Sequence, residues 1–432
     1  MSKFFVCTFG CRCNQADSAA IRADLCRHEM KETGSHLDAD LIVVNSCTVT
    51  HRTDQQVRQM VRRVHRENPG ARLVVTGCYA ERDPEALASL PGVSLIVGNA
   101  DRNRLADLLE DDTCGSPAMT IRSRFGSAPD FVLAPSAATG GKTRPFIKLQ
   151  DGCDARCSYC VVPSVRGPGR SAHPENVVEE VARLVEAGYQ EIVLAGVHLG
   201  TYGRKLDSSP TLLDLLRRVA AVPGLGRLRL SSIEPMRFSR GIVRLAAENP
   251  VIAPHFHIPL QSGSDRILRR MRRPYRAARF LELLAYIRDI LPDSGIGTDI
   301  LVGFPGETDE DFERTCDLVR RSPLTYLHVF PFSAREGTDA WAMGPRVPQH
   351  IVRERVRILR QMSEERNYAF RRSFVGRCLP GVTLAKEEGA GDAVVLTDNY
   401  IHVRVPVPVE PNRLVRIRIT EALPQSTGGQ VG

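Results

Sequence analysis

No apolar run in this 432-residue chain approaches the ~18 residues of a membrane span. No leader-like segment opens it, and its twelve cysteines show none of the paired spacing of a secreted disulfide framework. These absences exclude a spanning helix and a disulfide scaffold. A reduced, cytoplasmic compartment is the expectation, in which thiols stay available to metal. The turn Gly303-Phe-Pro-Gly-Glu-Thr308 lacks the lysine of a phosphate loop and reads as a strand-to-helix turn.

One further absence is more telling. Cys153, Cys157 and Cys160 form a C-x3-C-x2-C triad with no fourth cysteine near it. A closed structural zinc site, the plain alternative, needs four ligands at finger or ribbon spacing. Three thiolates on a [4Fe-4S] cluster would leave one iron without a protein ligand and open to chemistry.

Residues 1–125 alternate short apolar runs with helical patterns, the rhythm of an open parallel α/β sheet. Phe4–Cys7, Leu41–Val44 and Leu73–Val75 read as buried strands, with helices near Ser18–Met30 and Thr53–Glu67. Cys11, Cys47 and Cys78 each follow such a strand by a few residues, after the small residues Gly10, Ser46 and Gly77. Strand carboxyl ends border the ligand crevice of an open α/β sheet, so these three thiols are expected to converge on a second metal cluster. Cys13 is the competing ligand for Cys11, and each cysteine taken alone reads as a small buried hydrophobe.

Residues 126–144, rich in Ser, Ala, Gly and Pro, read as a linker. Residues 145–372 carry six strand candidates, Phe146–Leu149, Glu191–Ala195, Arg227–Leu230, His255–Leu260, Thr298–Val302 and Tyr326–Phe330, separated by helical patterns. The expectation is an incomplete (βα)6 barrel with an Arg- and Glu-rich exit helix over 348–372. The Cys153 triad then lies at the face where such barrels keep their chemistry. Residues 373–432 turn to short alternating strands, including Asn399–Val405 and Leu414–Ile419, fitting a small β-barrel of the kind that holds looped RNA. His255 and His257, two apart on one strand face, and His198 and His328 read as barrel lining rather than metal ligands. Net charge is +8. Arg58, Arg62, Arg63 and Arg66, the cluster Arg269, Arg270, Arg272, Arg273 and Arg276, and Arg404, Arg413, Arg416 and Arg418 could track phosphate; solvated faces are the alternative. Cys7, Cys26, Cys114, Cys316 and Cys378 read as buried or idle thiols.

Outside the linker and the tail after Glu421, the chain resembles the radical S-adenosylmethionine (SAM) methylthiotransferases. Both cysteine triads, their order and Tyr159 carry the likeness. Asn45-Ser-Cys-Thr-Val-Thr50, Asp54-Gln-Gln-Val-Arg58, Gly196-Val-His-Leu-Gly200 with Thr201-Tyr-Gly203, and Leu260-Gln-Ser-Gly-Ser264 are similar to the subgroup acting on N6-threonylcarbamoyladenosine in tRNA. The resemblance implies SAM and two [4Fe-4S] clusters, one held by Cys153, Cys157 and Cys160, the other by Cys11, Cys47 and Cys78. It implies a C-terminal TRAM-like domain gripping the tRNA anticodon stem-loop, a reductant such as flavodoxin or ferredoxin, and a sulfur donor. One SAM would methylate the sulfur and a second would supply the radical that turns an adenine C–H into C–S–CH3. Tyr159, Gly196, Gly200, Gly203, Ser232, Glu234, Gln261 and Ser262 are the candidates for contact with SAM, with turn-forming, packing or loop-capping roles as the alternative. Competing activities are the same chemistry on isopentenyladenosine tRNA or a ribosomal protein side chain, and a non-catalytic RNA-binding protein with structural metal.

Overall fold

A computed structural model describes residues 2–110, 118–125, 131, 133, 143–385 and 392–432. Most of the expected linker and Cys114 lie outside the described residues. Six parallel strands form the N-terminal sheet: β1 (Lys3–Thr8), β2 (Lys31–Glu32), β3 (Leu41–Ser46), β4 (Arg72–Gly77), β5 (Val93–Val97) and β6 (Met119–Ile121), in the order β2-β1-β3-β4-β5-β6. Successive side chains of a strand point to opposite faces, and both faces of this sheet are covered. Ile42, Val44, Leu73 and Val75 pack with Val57, Val61 and Val64 of the helix His51–Glu67. Leu41, Val43 and Val74 pack on the other side with Ile21 and Leu25 of the helix Arg12–Arg27. That helix starts directly after Cys11, six residues earlier than its apolar pattern predicts.

The central strands are β7 (Phe146–Asp151), β8 (Arg170–Ser171), β9 (Glu191–Gly196), β10 (Arg227–Leu230), β11 (His255–His257), β12 (Gly295–Val302) and β13 (Tyr326–Pro331). They fall into two sheets, β10-β9-β7-β8 and β11-β12-β13, parallel except for β8. The Ile233 amide donates to the His257 carbonyl at 3.0 Å across the seam between them. Among the described residues β7 and β13 do not pair, so the barrel stays incomplete, and the helix Arg12–Arg27 lies against β7 with Asp17 on Lys148. β11 is shorter than the expected His255–Leu260: Pro259 has no N–H to give a ladder, and the chain then bends through Gln261 at φ +71°.

The helix Gln349–Arg372 leads to β14 (Cys378–Thr383), β15 (Ala393–Thr397), β16 (His402–Val405), β17 (Leu414–Ala422) and β18 (Thr427–Val431), a closed barrel in the order β14-β15-β16-β18-β17. Asn399 to Ile401, expected as strand, form a turn with Tyr400 at φ +78°. This turn seals the amino-terminal end of the central barrel. Arg229 donates to the carbonyls of Thr397 and Asp398, and a Cβ on Gly295 would stand 2.2 Å from the Asn399 carbonyl oxygen, so no larger residue fits there.

Candidate functional site

The strand that ends at Asp151 delivers Cys153, Cys157 and Cys160 in a loop closed by the amide of Cys153 on the Gly167 carbonyl, at 3.0 Å. The Ala155 amide points at the Cys153 sulfur (3.4 Å) and the Arg273 guanidinium at that of Cys157 (3.5 Å). Burial foremost, with Cys157 and Cys153 adding to it, pushes the Cys160 thiol up to about 12. Burial likewise raises Cys153. Buried thiols such as Cys153 and Cys160, whose ionisation burial opposes, are matched to a cation, which stabilises the thiolates that bind it.

Cys11, Cys47 and Cys78 do converge. Gly10 (φ +113°) turns the chain so tightly that a Cβ there would lie 2.9 Å from the Cys47 sulfur, and Gly77 (φ +96°) leaves a Cβ no room beside the Ser46 carbonyl. Glycine is thus required before two of the three cysteines. Cys47 and Cys78 are buried and Cys11 is exposed. Burial, then the neighbouring Cys78 and Cys11, drives the Cys47 thiol up to about 12, while the hydrogen-bonded Cys13 thiol draws Cys11 down to about 6. The donor set again suits a thiophilic iron cluster. Asn14 and Asn99 approach the sulfurs of Cys11 and Cys78 at 3.3 and 3.8 Å.

The two triads adjoin. Val161, next after Cys160, and Val165 pack on Cys78. Beside them Asp17 and Asp151 are buried against Arg102, Lys148 and Arg166, with Arg166 2.9 Å from each carboxylate. These cations hold both carboxyls below their usual range in spite of burial. Asp151 begins the Cys153 loop, and the charge of Arg166 reaches Cys11 and Cys78, so one buried network fixes both sites.

A cavity of about 280 Å³ opens between them, walled by Thr50 of the Cys47 loop and by Tyr159, Cys160, Gln261, Leu301, Phe330 and Phe332. Tyr159 stands edge-on to Phe304 at 6.5 Å. Ser232 bonds the His257 ring at 2.8 Å, and Glu234 is held by Arg273. Ser262 accepts the Ser264 amide at 3.2 Å and closes its own loop. A Cβ on Gly196 would meet Leu199, one on Gly200 would meet Arg237, and one on Gly203 would meet Pro210, so the close approaches at these glycines are to the chain itself. His257 and His328 flank Asp299 at 3.2 and 3.3 Å; their hydrogen bonds pull its carboxyl well below the usual range although burial opposes this. Arg273, grouped by sequence with surface arginines, is buried at 5% exposure and serves the Cys157 loop. Its neighbours in sequence gave no hint of that, because Glu234 and Cys157 are remote along the chain.

A Radical SAM superfamily model matches residues 147–319, and the model described as "Uncharacterized protein family UPF0004" matches residues 3–98. Fold and site thus define a radical SAM enzyme. The threonylcarbamoyladenosine tRNA methylthiotransferase MtaB of Aquifex aeolicus is 35% identical over 95% of this chain and 98% of its own length, and that of Rickettsia prowazekii 37% over 93% and 90%. The tRNA-2-methylthio-N(6)-dimethylallyladenosine synthase of Parafrankia sp. is 34% identical over 95% and 84%. The chain belongs to the methylthiotransferase family of radical SAM enzymes. Among solved structures, the radical SAM methyltransferase TsrM of Kitasatospora setae shares the fold with a TM-score of 0.55, at 17% identity over 76% of this chain and 72% of that one. No helix among the described residues is long and apolar enough to cross a membrane.

Proposed function

We propose that the protein adds a methylthio group to C2 of N6-threonylcarbamoyladenosine beside the tRNA anticodon, at position 37, working in the cytoplasm. The observation that carries this is the packing of Val161 and Val165, from the Cys153 loop, on Cys78. An enzyme that only cleaved SAM needs one open triad; here a second is built against it. Cys153, Cys157 and Cys160 would hold the SAM-binding [4Fe-4S] cluster, and Cys11, Cys47 and Cys78 an auxiliary one. When bound, those clusters would supply reductive SAM cleavage at the first and a seat for the sulfur at the second, with electrons from a flavodoxin- or ferredoxin-type reductant and sulfur from an external donor.

The chain's own residues bind, orient and exclude water. The cavity beside Cys160 suits an adenosyl group, apolar on Leu301, Phe330 and Phe332, with the Gln261 amide as its polar edge. Arg273 fixes the Cys157 loop through one guanidinium shared between that sulfur and Glu234. Exposed Arg404, Arg416 and Arg418 on the C-terminal barrel offer cations to RNA phosphate. The relatives named for threonylcarbamoyladenosine support the substrate choice.

Anaerobic incubation of iron-loaded protein with SAM, reductant, sulfide and ribosome-free tRNA tests it by nucleoside mass spectrometry. The methylthio derivative of threonylcarbamoyladenosine is expected. Modification of isopentenyladenosine tRNA instead, or of ribosomes alone, would overturn the substrate assignment.

A further inference from the structure

Arg12 follows Cys11 and is half-buried, yet among the described residues no carboxylate lies within ion-pair distance of it. Arg22, Arg82, Arg273 and Arg335, similarly or more deeply placed, each pair with an acid. The guanidinium of Arg12 donates instead to the Tyr400 hydroxyl at 3.3 Å. Tyr400 enters from the C-terminal barrel through the turn that seals the central barrel, and its ring stacks on His255 at 4.1 Å and on Tyr326 at 6.1 Å. The Tyr326 hydroxyl in turn meets the His255 ring at 2.9 Å. Arg12 therefore points from the cluster loop toward the inner wall of the barrel, and its charge acts on both His255 and Tyr326.

The surroundings are rich in positive charge. Glu191 faces Arg144, Arg227 and Arg229, at 3.4, 3.4 and 2.8 Å, and Asp398 adds a second carboxylate near Arg227 and Arg229, so the cations outnumber the acids. His255 stays neutral there, its pKa lowered by burial and then by Arg229 and Arg12. An unpaired guanidinium in a sheltered, already positive region is unfavourable until an anion arrives.

We propose that Arg12, with the Tyr400 hydroxyl beside it, binds the carboxylate of the threonylcarbamoyl group, so that the residue after the first auxiliary-cluster cysteine reads the substrate. This rests on the function proposed above. Of the two nucleosides named among the relatives, one carries an ionised carboxylate on N6 and the other a five-carbon hydrocarbon. A guanidinium matches the first in a forked pair and is left without a counter-ion by the second. The geometry of adenine agrees. C2 and C6 flank N1, so a base whose C2 faces the sulfur at Cys11 extends its N6 substituent along the same edge. Consecutive Cα atoms are about 3.8 Å apart, and an arginine placed there reaches along that edge.

The test compares two anticodon stem-loop RNAs, one with threonylcarbamoyladenosine and one with its carboxamide analogue, titrated into iron-loaded holoenzyme by fluorescence anisotropy. Product is followed separately by nucleoside mass spectrometry. Wild type should bind the acid at least about tenfold more tightly than the amide. Arg12→Met should abolish that ratio, Arg12→Lys should keep part of it, and Tyr400→Phe, which keeps the ring stack, should reduce it. Iron content of each variant reports whether the neighbouring Cys11 site survived; if Arg12→Met loses iron, the Arg12→Lys and Tyr400→Phe ratios decide. A ratio near one in wild type, or an unchanged ratio in the variants, overturns the proposal. Wild type that binds and discriminates but methylthiolates only isopentenyladenosine RNA overturns the functional reading instead.

Discussion

Arg229 is wholly buried, and Glu191 is the carboxylate it pairs with, at 2.8 Å. Burial opposes ionisation of Glu191, but Arg229 and its companions hold the carboxyl below its usual range. Removing one partner of such a pair strands the other in low dielectric, at a cost of about 3–5 kcal/mol. Glu191→Ala should therefore lower the unfolding free energy, read from denaturant unfolding, by that order, and a change under about 1 kcal/mol would show that the Thr397 and Asp398 carbonyls suffice for Arg229. His255 is a second case. Its folded-state pKa lies well below that of a free imidazole, so the unfolded chain takes up the proton first. The stability it contributes is complete above the ordinary histidine value and is lost as pH falls below it. His255→Gln should flatten the decline in stability between pH 7 and pH 5; an equal decline in the variant would assign it to other groups. Neither residue's role was legible in sequence. Glu191, Arg229 and Tyr400 meet only because two separate strands and a distant turn come to one place.

β17 shows where an element could be read in part. Its alternation places Ile417 and Ile419 in the core of the small barrel and Arg416 and Arg418 outside, the period of two that the apolar pattern gives. Arg404 does the same on β16. Replacing Arg404, Arg416 and Arg418 by Glu should weaken tRNA binding and make the remaining affinity less salt-dependent, while iron content is retained. Affinity and salt slope equal to wild type would mean RNA does not cross these strands. The arginines of the helix His51–Glu67 divide differently: Arg58 bonds the Tyr79 hydroxyl at 2.5 Å and belongs to the packing, whereas Arg62, Arg63 and Arg66 are exposed. The positions of β1, β3 and β4 were readable because buried parallel strands are apolar runs, whereas β5, Val93–Val97, was not among the expected strands. The ends of β11 and β16 were not readable, since Pro259 and the left-handed Tyr400 answer to packing partners rather than to the local pattern. The short strands β2, β6 and β8 escaped for a different reason: two or three residues carry no period.

Across the whole molecule, the three parts meet at the central barrel. The N-terminal sheet presents three cysteines from the ends of its strands, the central barrel presents three more from one loop, and the C-terminal barrel closes the far end with Tyr400. Each triad was legible because cysteines proposed to share a cluster must be identical in type and, for Cys153, Cys157 and Cys160, close in sequence. Their adjacency was not, because it depends on Val161, Val165, Arg166 and Asp151, ordinary residues that gain meaning only in contact. The proposed function needs two neighbouring clusters with separate tasks. Its most direct test is Cys47→Ala, reconstituted with iron and sulfide and assayed with SAM, reductant and tRNA. The variant should hold about half the wild-type iron and still release 5′-deoxyadenosine, while forming no methylthio nucleoside. Undiminished methylthiolation, or loss of SAM cleavage together with all iron, would contradict the division of labour between the two triads.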